Sequence, residues 1–236
     1  MAVQFKPLGD QAVLVYFGNI ISEEVHNSIK KFMYTLEKNW VDGLVEMVPG
    51  YTNVCVYYDV MKVAGWEMEG HSPYEKIVCY LRALLHEETE MPVENSRIIE
   101  IPVCYGGIYG PDLEEIARYH HLSEQQVIQI HSGKEYLVYM LGFAPGFAFL
   151  GGLDERIATP RKDTPRLKIP PGSVGIAGRQ TGIYPLETPG GWQIIGRTPL
   201  QLFLPDQNPP ALLRTGDRIR FVPITEKEFR ELAGEA

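Results

Sequence analysis

A chain of 236 residues with 44% hydrophobic and 22% charged residues has the composition of an ordinary globular protein, long enough for one large domain or two small ones. It contains no run of about 18 apolar residues that could span a membrane. Its N-terminus, MAVQFKPLGD, lacks the apolar stretch of a secretory signal, so we expect a cytoplasmic protein. The net charge of −8 disfavours binding to nucleic acid, which needs a basic surface.

Three runs of β-branched and aromatic residues predict strands in the first part of the chain: QAVLVYF (11–17), LVEMV (44–48) and NVCVYYD (53–59). Ser22 is placed to open a helix. A second helix is predicted from Ser72, with Pro73 at its first position and Glu75 completing a capping box. The order of these elements predicts a small α/β sandwich over residues 1–92.

The pattern changes after the polar, proline-containing stretch MPVENSR (91–97), where we place a domain boundary between residues 92 and 93. A strand is predicted at RIIEIPV (97–103). Two short helices are predicted to begin at capping pairs, one at Asp112 with Glu115 and the other at Ser123 with Gln126. From Tyr136 onward, short apolar runs alternate with Gly and Pro, and the last residues read as a terminal helix or frayed tail. We therefore predict a β-barrel or a sandwich for residues 93–236.

The three cysteines are widely spaced in apolar surroundings: Cys55, Cys79 and Cys104. An odd count without C-x-x-C spacing argues against disulfides and zinc, and favours buried, reduced thiols over a catalytic cysteine. His120, His121 and His131 lie on the predicted short helices. Adjacent helical histidines rarely ligate one ion, so we interpret them as surface or packing residues and expect no metal site.

Residues 142–203, hereafter the Gly/Pro segment, hold 11 of the 23 glycines and 8 of the 18 prolines. Aromatic and β-branched residues are interleaved with them, which predicts folded rather than disordered structure. The segment carries seven basic and four acidic residues in an otherwise acidic chain. Such a patch suits a small anionic ligand or an acidic partner, the alternative being a solvated face. We expect Phe143, Phe147, Tyr184 and Trp192 to cluster in or beside one cleft.

Known nucleotide and nucleophile motifs are absent from the sequence. There is no P-loop, no G-x-G-x-x-G after a strand and no G-x-S-x-G. Gly172, Gly175 and Gly178 could expose backbone amides to an anion, although a strand edge in a barrel would show the same glycines.

Because the Gly/Pro segment contains no His or Cys, its arginines are the remaining candidates for catalysis or for binding an anion. Its arginines near turns are Arg161, Arg166, Arg179 and Arg197, and the guanidinium fork suits carboxylate or phosphate. Asp163 and Glu187 are acid/base candidates or partners of these arginines. We assign catalysis to Arg166, Arg197 and Asp163. The residues expected to bind substrate or a partner are Phe143, Pro145, Gly146, Phe147, Pro165, Gly172, Ser173, Gly178, Tyr184, Pro185, Gly190, Gly191 and Trp192.

Several long motifs resemble one family: GFAPGFAFLGGLD (142–154), TPRKDTPRLKIPPGSVGIAG (159–178), TGIYPLETPGGWQIIGRTPL (181–200), VPGYTNVCVYYD (48–59) and HSGKEYLVYMLGF (131–143). The family comprises allophanate hydrolase subunit 1, the sporulation kinase inhibitor and the B subunit of bacterial 5-oxoprolinase. One departure is Phe149, where the family more usually has Tyr; this puts a hydroxyl contact in doubt. The resemblance implies an α+β fold, with an N-terminal α/β domain and a C-terminal cyclophilin-like β-barrel.

The resemblance also implies a function. With a companion C subunit of the allophanate hydrolase subunit 2 family and a separate A subunit, such proteins open 5-oxoproline to glutamate at the expense of ATP. ATP with Mg would bind at a site completed by a partner, and the isolated chain would be inactive or weakly active. The alternatives are a protein inhibitor of a sensor histidine kinase and a member of an allophanate or urea-type amide-metabolising complex. A prolyl isomerase would rest on fold analogy alone.

Overall fold

The structure, a computed structural model, describes residues 3–87, 89–90 and 97–234. The chain divides into two compact units, Met1–Glu94 and Asn95–Ala236. The predicted boundary between residues 92 and 93 lies outside the described residues. Helices and a four-stranded sheet build the first unit and a closed barrel the second, so the predicted α+β fold class is confirmed. Within the described ranges, no helix is both long and apolar enough to cross a membrane.

The N-terminal unit contains a four-stranded antiparallel sheet. Its strands are β1 (Gln4–Pro7), β2 (Ala12–Tyr16), β3 (Leu44–Pro49) and β4 (Asn53–Tyr58). They lie in the order β1-β2-β4-β3. Val13 pairs with Val56 and Val15 with Val54, and all four are fully buried, because alternate residues of each strand face the helices. β1 was not predicted from the sequence, since its four residues, QFKP, are mostly exposed and end in proline.

Three helices belong to the same unit: α1 (Glu23–Lys38), α2 (Val60–Ala64) and α3 (Pro73–Leu84). The predicted cap of α1 is confirmed, because the Ser22 side chain accepts from the N–H of Val25. Ser72 likewise caps α3, but the capping box predicted there is wrong in detail. The Glu75 carboxylate accepts from the N–H of His71 rather than from that of Ser72. α2 is too short to have shown a period in the sequence.

A closed barrel of seven strands forms the C-terminal unit. The strands are β5 (Ile98–Tyr105), β6 (Glu135–Leu141), β7 (Ala148–Gly151), β9 (Ser173–Ala177), β10 (Gln180–Ile183), β12 (Gln193–Arg197) and β13 (Arg218–Pro223). Around the barrel they follow the order β10-β7-β6-β13-β5-β12-β9. β13 and β5 run parallel and every other neighbouring pair runs antiparallel. The interior is filled by fully buried apolar side chains, including Ile101, Tyr136, Ile176 and Phe221.

A two-stranded ribbon of β8 (Arg166–Ile169) and β11 (Thr188–Gly190) stands outside the barrel order. The helices of this unit are α4 (Leu113–Tyr119), α5 (Glu124–Ser132) and α6 (Glu226–Ala233), with a 3₁₀ turn at Glu155–Ile157. The capping box of Ser123 and Gln126 is confirmed. Asp112 precedes α4 as predicted, but its side chain makes no capping hydrogen bond there. Its carboxylate is used elsewhere.

Candidate functional site

Aromatic side chains surround a cavity of about 280 Å³ in the C-terminal unit. The four aromatic residues expected to cluster, Phe143, Phe147, Tyr184 and Trp192, all line it, so this prediction is confirmed. The cavity draws on residues far apart in the sequence that β7, β10, β11 and β12 bring together. The full lining is Phe143, Phe147, Phe149, Arg161, Pro165, Tyr184, Pro189, Gly190, Gly191 and Trp192.

Phe147 lies at the centre of the aromatic cluster. Its ring meets those of Phe143, Tyr184 and Trp192 edge-on, with centroids 5.3 to 5.7 Å apart, and that of Phe149 at 4.7 Å. Edge-to-face contacts at these distances are favourable for aromatic quadrupoles. The buried rings of Phe147, Tyr184 and Trp192 therefore form one packed cluster.

Gly190 makes room for Tyr184. A Cβ at Gly190 would lie 2.5 Å from the Tyr184 hydroxyl oxygen and 2.7 Å from Cδ1 of Ile169. Burial raises the pKa of Tyr184 to about 12, although the nearby charge of Arg161 acts in the opposite direction. The hydroxyl therefore stays protonated at neutral pH and remains available as a hydrogen-bond donor.

The loop before β7 has an unusual backbone. Phe143 adopts φ +69°, a conformation rare for a non-glycine residue, and its side chain is 70% exposed. Gly146 has φ +79°, and a Cβ there would approach Cβ of Phe203 to 2.9 Å. Pro145 is exposed at the tip of this loop. Such strain, next to an exposed aromatic ring at the mouth of a cavity, is typical of ligand-binding loops.

Asp112 anchors the polar side of this region. Its Oδ1 accepts from Nη2 of Arg166 at 2.7 Å and from Nζ of Lys162 at 2.9 Å. Its Oδ2 accepts from the N–H of Ile194, in β12, at 2.6 Å. Burial alone would raise the pKa of Asp112, but the hydrogen bonds from Arg166 and Lys162 outweigh it and lower the pKa. The carboxylate thus ties α4, β8 and β12 together as an anion.

Lys162 extends the same network. Its ammonium group also contacts Glu115 at 3.0 Å and the side-chain oxygen of Gln193 at 3.2 Å, and Gln193 donates to the carbonyl of Pro160. Burial lowers the pKa of Lys162, but its bonds to Asp112 and Glu115 raise it by more. The loop that leads into β8 is therefore bound both to Asp112 and Glu115 and to Gln193.

Among the described residues, no hydrogen bond or ion pair joins the three residues assigned to catalysis to one another. Arg166 is held by Asp112, while its Nη1 is buried and has no partner among the described residues. Arg197 does not line the cavity; its Nε donates to the carbonyl of Pro171 at 2.7 Å. Asp163 is exposed and makes no ion pair within the described residues. Glu187 pairs with Lys168 rather than with an arginine.

The glycine triplet does not offer free amides to an anion. The N–H of Gly172 donates to the carbonyl of Tyr184 at 2.6 Å, and that of Gly178 to the carbonyl of Thr159 at 2.7 Å. Gly175 lies inside β9, between β10 and β12. Gly172 is required for a close approach, since a Cβ there would overlap the carbonyl oxygen of Thr198. The alternative interpretation, glycines of barrel strands and turns, is the one observed.

The remaining predicted binding residues have different positions. Pro165, Gly190 and Gly191 line the cavity, whereas Gly172, Ser173, Gly178 and Pro185 do not. Ser173 and Pro185 are buried in the protein. The aromatic residues, Pro165, Gly190 and Gly191 thus share one cavity, and their role in binding substrate or a partner stays a prediction.

Histidine and cysteine side chains take packing roles. His131 is fully buried inside the barrel and stacks on Phe221, and Nε2 of His120 meets the hydroxyl of Thr159 at 3.0 Å. The three cysteines are free; Cys55 and Cys104 are buried, and Cys79 is half-buried. Within the described ranges, no three His, Cys, Asp or Glu side chains are grouped so that they could hold a metal ion.

A larger groove, of about 870 Å³, lies in the N-terminal unit. Phe17 and Phe32 line it together with charged residues such as Glu24, Lys31 and Arg82. It contains no residue of the Gly/Pro segment. We take the smaller C-terminal cavity as the candidate site, because aromatic rings and a cation converge on it from an unusual, tightly turned segment.

Comparison with known proteins identifies the family. The profile described as carboxyltransferase domain, subdomain C and D, matches residues 3–213. The chain belongs to this family. Within it, the chain is 50% identical over 234 residues to the B subunit of 5-oxoprolinase from Bacillus subtilis strain 168, covering 99% of this chain and 98% of that protein. The family resemblance seen in the motifs is confirmed.

Two solved structures share the fold of this chain. A conserved uncharacterized protein from Pyrococcus horikoshii is 50% identical, with a TM-score of 0.56 over 96% of this chain and all of that one. The urea amidolyase of Kluyveromyces lactis is 21% identical, with a TM-score of 0.77 over 99% of this chain but 15% of that protein. The second likeness supports the fold alone.

Some residues that build the site in this carboxyltransferase family member could not be chosen from the sequence. Asp112 had the features of a helix cap, and nothing in the motif TPRKDTPRLKIPPGSVGIAG (159–178) singled out its Lys162. Their partners lie 31 to 82 residues away along the chain. The sequence offered one signal, several cations in a backbone that Gly and Pro make stiff. This pattern indicates a preorganised charged surface, but it does not identify the carboxylate that binds the cations.

Proposed function

We propose that this chain is a subunit of an ATP-dependent 5-oxoprolinase complex that hydrolyses 5-oxo-L-proline to L-glutamate. The observation that carries the proposal is the near full-length similarity to the 5-oxoprolinase B subunit. A relative named as one subunit implies companions, and we propose a C subunit of the allophanate hydrolase subunit 2 family and an A subunit. We place the complex in the cytoplasm, where ATP is available.

In this proposal the chain contributes a preformed aromatic cavity with cations beside it. A lactam is a poor electrophile, and positive groups placed near its carbonyl would stabilise the charge that develops when the ring opens. The Asp112 network would keep Arg166 and Lys162 in fixed positions, since each makes a short hydrogen bond to a buried carboxylate. Such preorganisation is what stabilisation of a transition state requires.

The described residues of the Gly/Pro segment do not fit a triphosphate on their own. The amides of Gly172 and Gly178 are used by protein carbonyls, and no P-loop is present. We therefore propose that ATP, with Mg, binds at a site completed by a partner protein. It follows that the isolated chain should have little or no activity.

The proposal is tested by reconstitution with each subunit omitted in turn. The full set should form glutamate and ADP from 5-oxoproline and ATP, and every incomplete set should form little or none. Absence of glutamate from the complete set would refute the proposed function. Robust ATP-dependent glutamate formation by the single chain would refute the need for companions.

The same preparations distinguish the two alternatives. A sensor histidine kinase whose autophosphorylation is inhibited by the chain, with no glutamate formed by the full set, would favour a role as a kinase inhibitor. ATP-dependent turnover of urea or allophanate in place of 5-oxoproline would favour urea-type amide metabolism.

A further inference from the structure

We infer that Arg161 is the substrate-carboxylate receptor of the aromatic cavity, and that the cavity takes a small ring compound bearing a carboxylate. The inference rests on the proposed function to the extent that 5-oxoproline is such a compound. It differs from the sequence-based assignment, which gave the arginine chemistry to Arg166 and Arg197.

The pairing of basic residues in the Gly/Pro segment singles out Arg161. Six of the seven have a partner within the described part of the chain: Arg156 with Asp154, Lys162 and Arg166 with Asp112, Lys168 with Glu187, Arg179 with Glu155, and Arg197 with the Pro171 carbonyl. Arg161 alone makes no ion pair or hydrogen bond among the described residues. Its guanidinium is therefore available to an external anion without breaking an internal bond.

The position of Arg161 matches this availability. Among the residues that the structure describes, it is the one charged residue that lines the cavity, and no carboxylate joins it there. Its charge is close enough to the Tyr184 hydroxyl to counteract, in part, the effect of burial on that group. An anion that reaches Arg161 would meet a positive field with no opposing charge on the cavity wall.

The rest of the lining specifies the other end of the ligand. Apart from Arg161, it consists of aromatic rings, prolines and glycines, whose surfaces suit a flat or apolar ring. Inorganic phosphate would use the arginine but leave these surfaces uncovered. A volume of about 280 Å³ lies just below the usual range for ligand pockets, roughly 300–1,000 Å³. The occupant should therefore be a single small ring.

The test compares ligands with and without the carboxylate. Binding of 5-oxoproline and of 2-pyrrolidinone, the same lactam ring without a carboxylate, is measured by equilibrium dialysis on the full chain and on the assembled complex. Arg161→Gln should weaken binding of 5-oxoproline at least about tenfold and leave that of 2-pyrrolidinone unchanged, because charge-assisted hydrogen bonds are lost. Arg161→Lys should restore binding only in part, since an ammonium lacks the planar fork.

Arg179→Gln is the matched control. Arg179 is an exposed arginine of the same segment, paired with Glu155 and outside the cavity lining. The control variant should bind 5-oxoproline as the wild type does. Equal affinities of Arg161→Gln and wild type would overturn the inference, as would absence of saturable 5-oxoproline binding to both wild-type preparations. Displacement of 5-oxoproline by inorganic phosphate at equal affinity would overturn the specificity for a ring.

Kinetics of the complex separate this inference from the proposed function. In an active complex, Arg161→Gln should raise KM for 5-oxoproline with little change in kcat, as expected when ground-state and transition-state binding are lost equally. An active complex with an unchanged KM would refute the role of Arg161 and leave the function standing. Arg161-dependent binding without any turnover by the wild-type complex would refute the function and leave the carboxylate receptor standing.

Discussion

Asp112 and Arg166, 54 residues apart in the chain, are joined by a hydrogen bond of 2.7 Å between Oδ1 and Nη2. The aspartate is 3% exposed, and it also accepts from Lys162 and from the N–H of Ile194. One carboxylate thus satisfies two cations and a backbone amide of β12, the strand that follows Trp192. Its partners Lys162 and Arg166 directly follow Arg161 and Pro165, two residues of the cavity lining.

Replacement of Asp112 should therefore destabilise the C-terminal unit. Asp112→Ala removes a buried anion, leaves Arg166 and the N–H of Ile194 without their acceptor, and takes from Lys162 one of its two carboxylate partners. Breaking a buried pair in this way costs roughly 3–5 kcal/mol. Because Arg166 and Lys162 are partly exposed, we expect about 2–3 kcal/mol, measured by urea unfolding. Glu114→Gln, which alters an exposed ion pair in α4, is the control and should change stability by less than about 0.5 kcal/mol. Equal effects of the two would contradict the role of Asp112.

Acid should remove part of the same contribution. The folded-state pKa of Asp112 lies below its ordinary value of 3.8, so its stabilisation is fully present above that value and is lost as pH falls through the folded pKa. The difference in unfolding free energy between wild type and Asp112→Asn should be constant from pH 7 to about 5 and shrink below about 4. A difference that grows on acidification would contradict this sign.

The sequence allowed the local structure to be predicted better than the site. Capping residues such as Ser22 and Ser123 acted as predicted because their partners lie within three residues. The aromatic cluster was also predictable, since many rings in a Gly/Pro-rich segment must pack together. Asp112 was interpreted as a cap because the choice between an N–H nearby and cations 50 residues or more away is made by the tertiary fold. The same holds for Arg161, whose availability depends on where every other described carboxylate lies.

Gly190 and Gly191 offer an internal comparison of two adjacent glycines. A methyl group at Gly190 would overlap the Tyr184 hydroxyl and Ile169, whereas one at Gly191 would have no atom closer than 3.5 Å. We expect Gly190→Ala to destabilise the protein by roughly 1–3 kcal/mol and to displace Tyr184 from the cavity wall. Gly191→Ala should be nearly neutral. Thermal unfolding of both variants checks this, and equal melting temperatures would show that the wall yields without strain.

Arg197 was assigned to catalysis, and this role stays a prediction. Its bond to the Pro171 carbonyl favours the alternative, a brace for the turn before β9. Arg197→Ala should then lose about 1 kcal/mol of stability, or roughly 2–4 °C in Tm, while turnover per folded complex stays near wild type. Melting temperature and turnover are measured on the same complex. A tenfold loss of turnover at unchanged Tm would support catalysis instead.

We expect the buried side chain of His131 to make the stability of the barrel depend on pH. Burial lowers its pKa to about 3, and the ring lies between the Tyr105 hydroxyl at 2.8 Å and the Thr181 hydroxyl at 2.9 Å. Thr181 donates to the carbonyl of Gly175, so it accepts from Nε2–H of the histidine, and Tyr105 donates to Nδ1. This neutral form satisfies both ring nitrogens. Protonation of Nδ1 would make it a donor facing the Tyr105 hydroxyl, which already donates, inside an apolar barrel.

The stability of the barrel should consequently fall between pH 6.5 and about 3. The unfolded chain binds a proton at His131 below its ordinary pKa of 6.5, whereas the folded chain does so only near 3, so acid favours unfolding by up to about 1.4 kcal/mol per pH unit. His131→Gln should flatten this slope, and His121→Gln, at an exposed position, should not. In the wild type, the His131 imidazole NMR signals should stay constant from pH 7.5 to about 4. A titration of those signals near 6.5 would contradict the buried, neutral assignment independently of how well the variant folds.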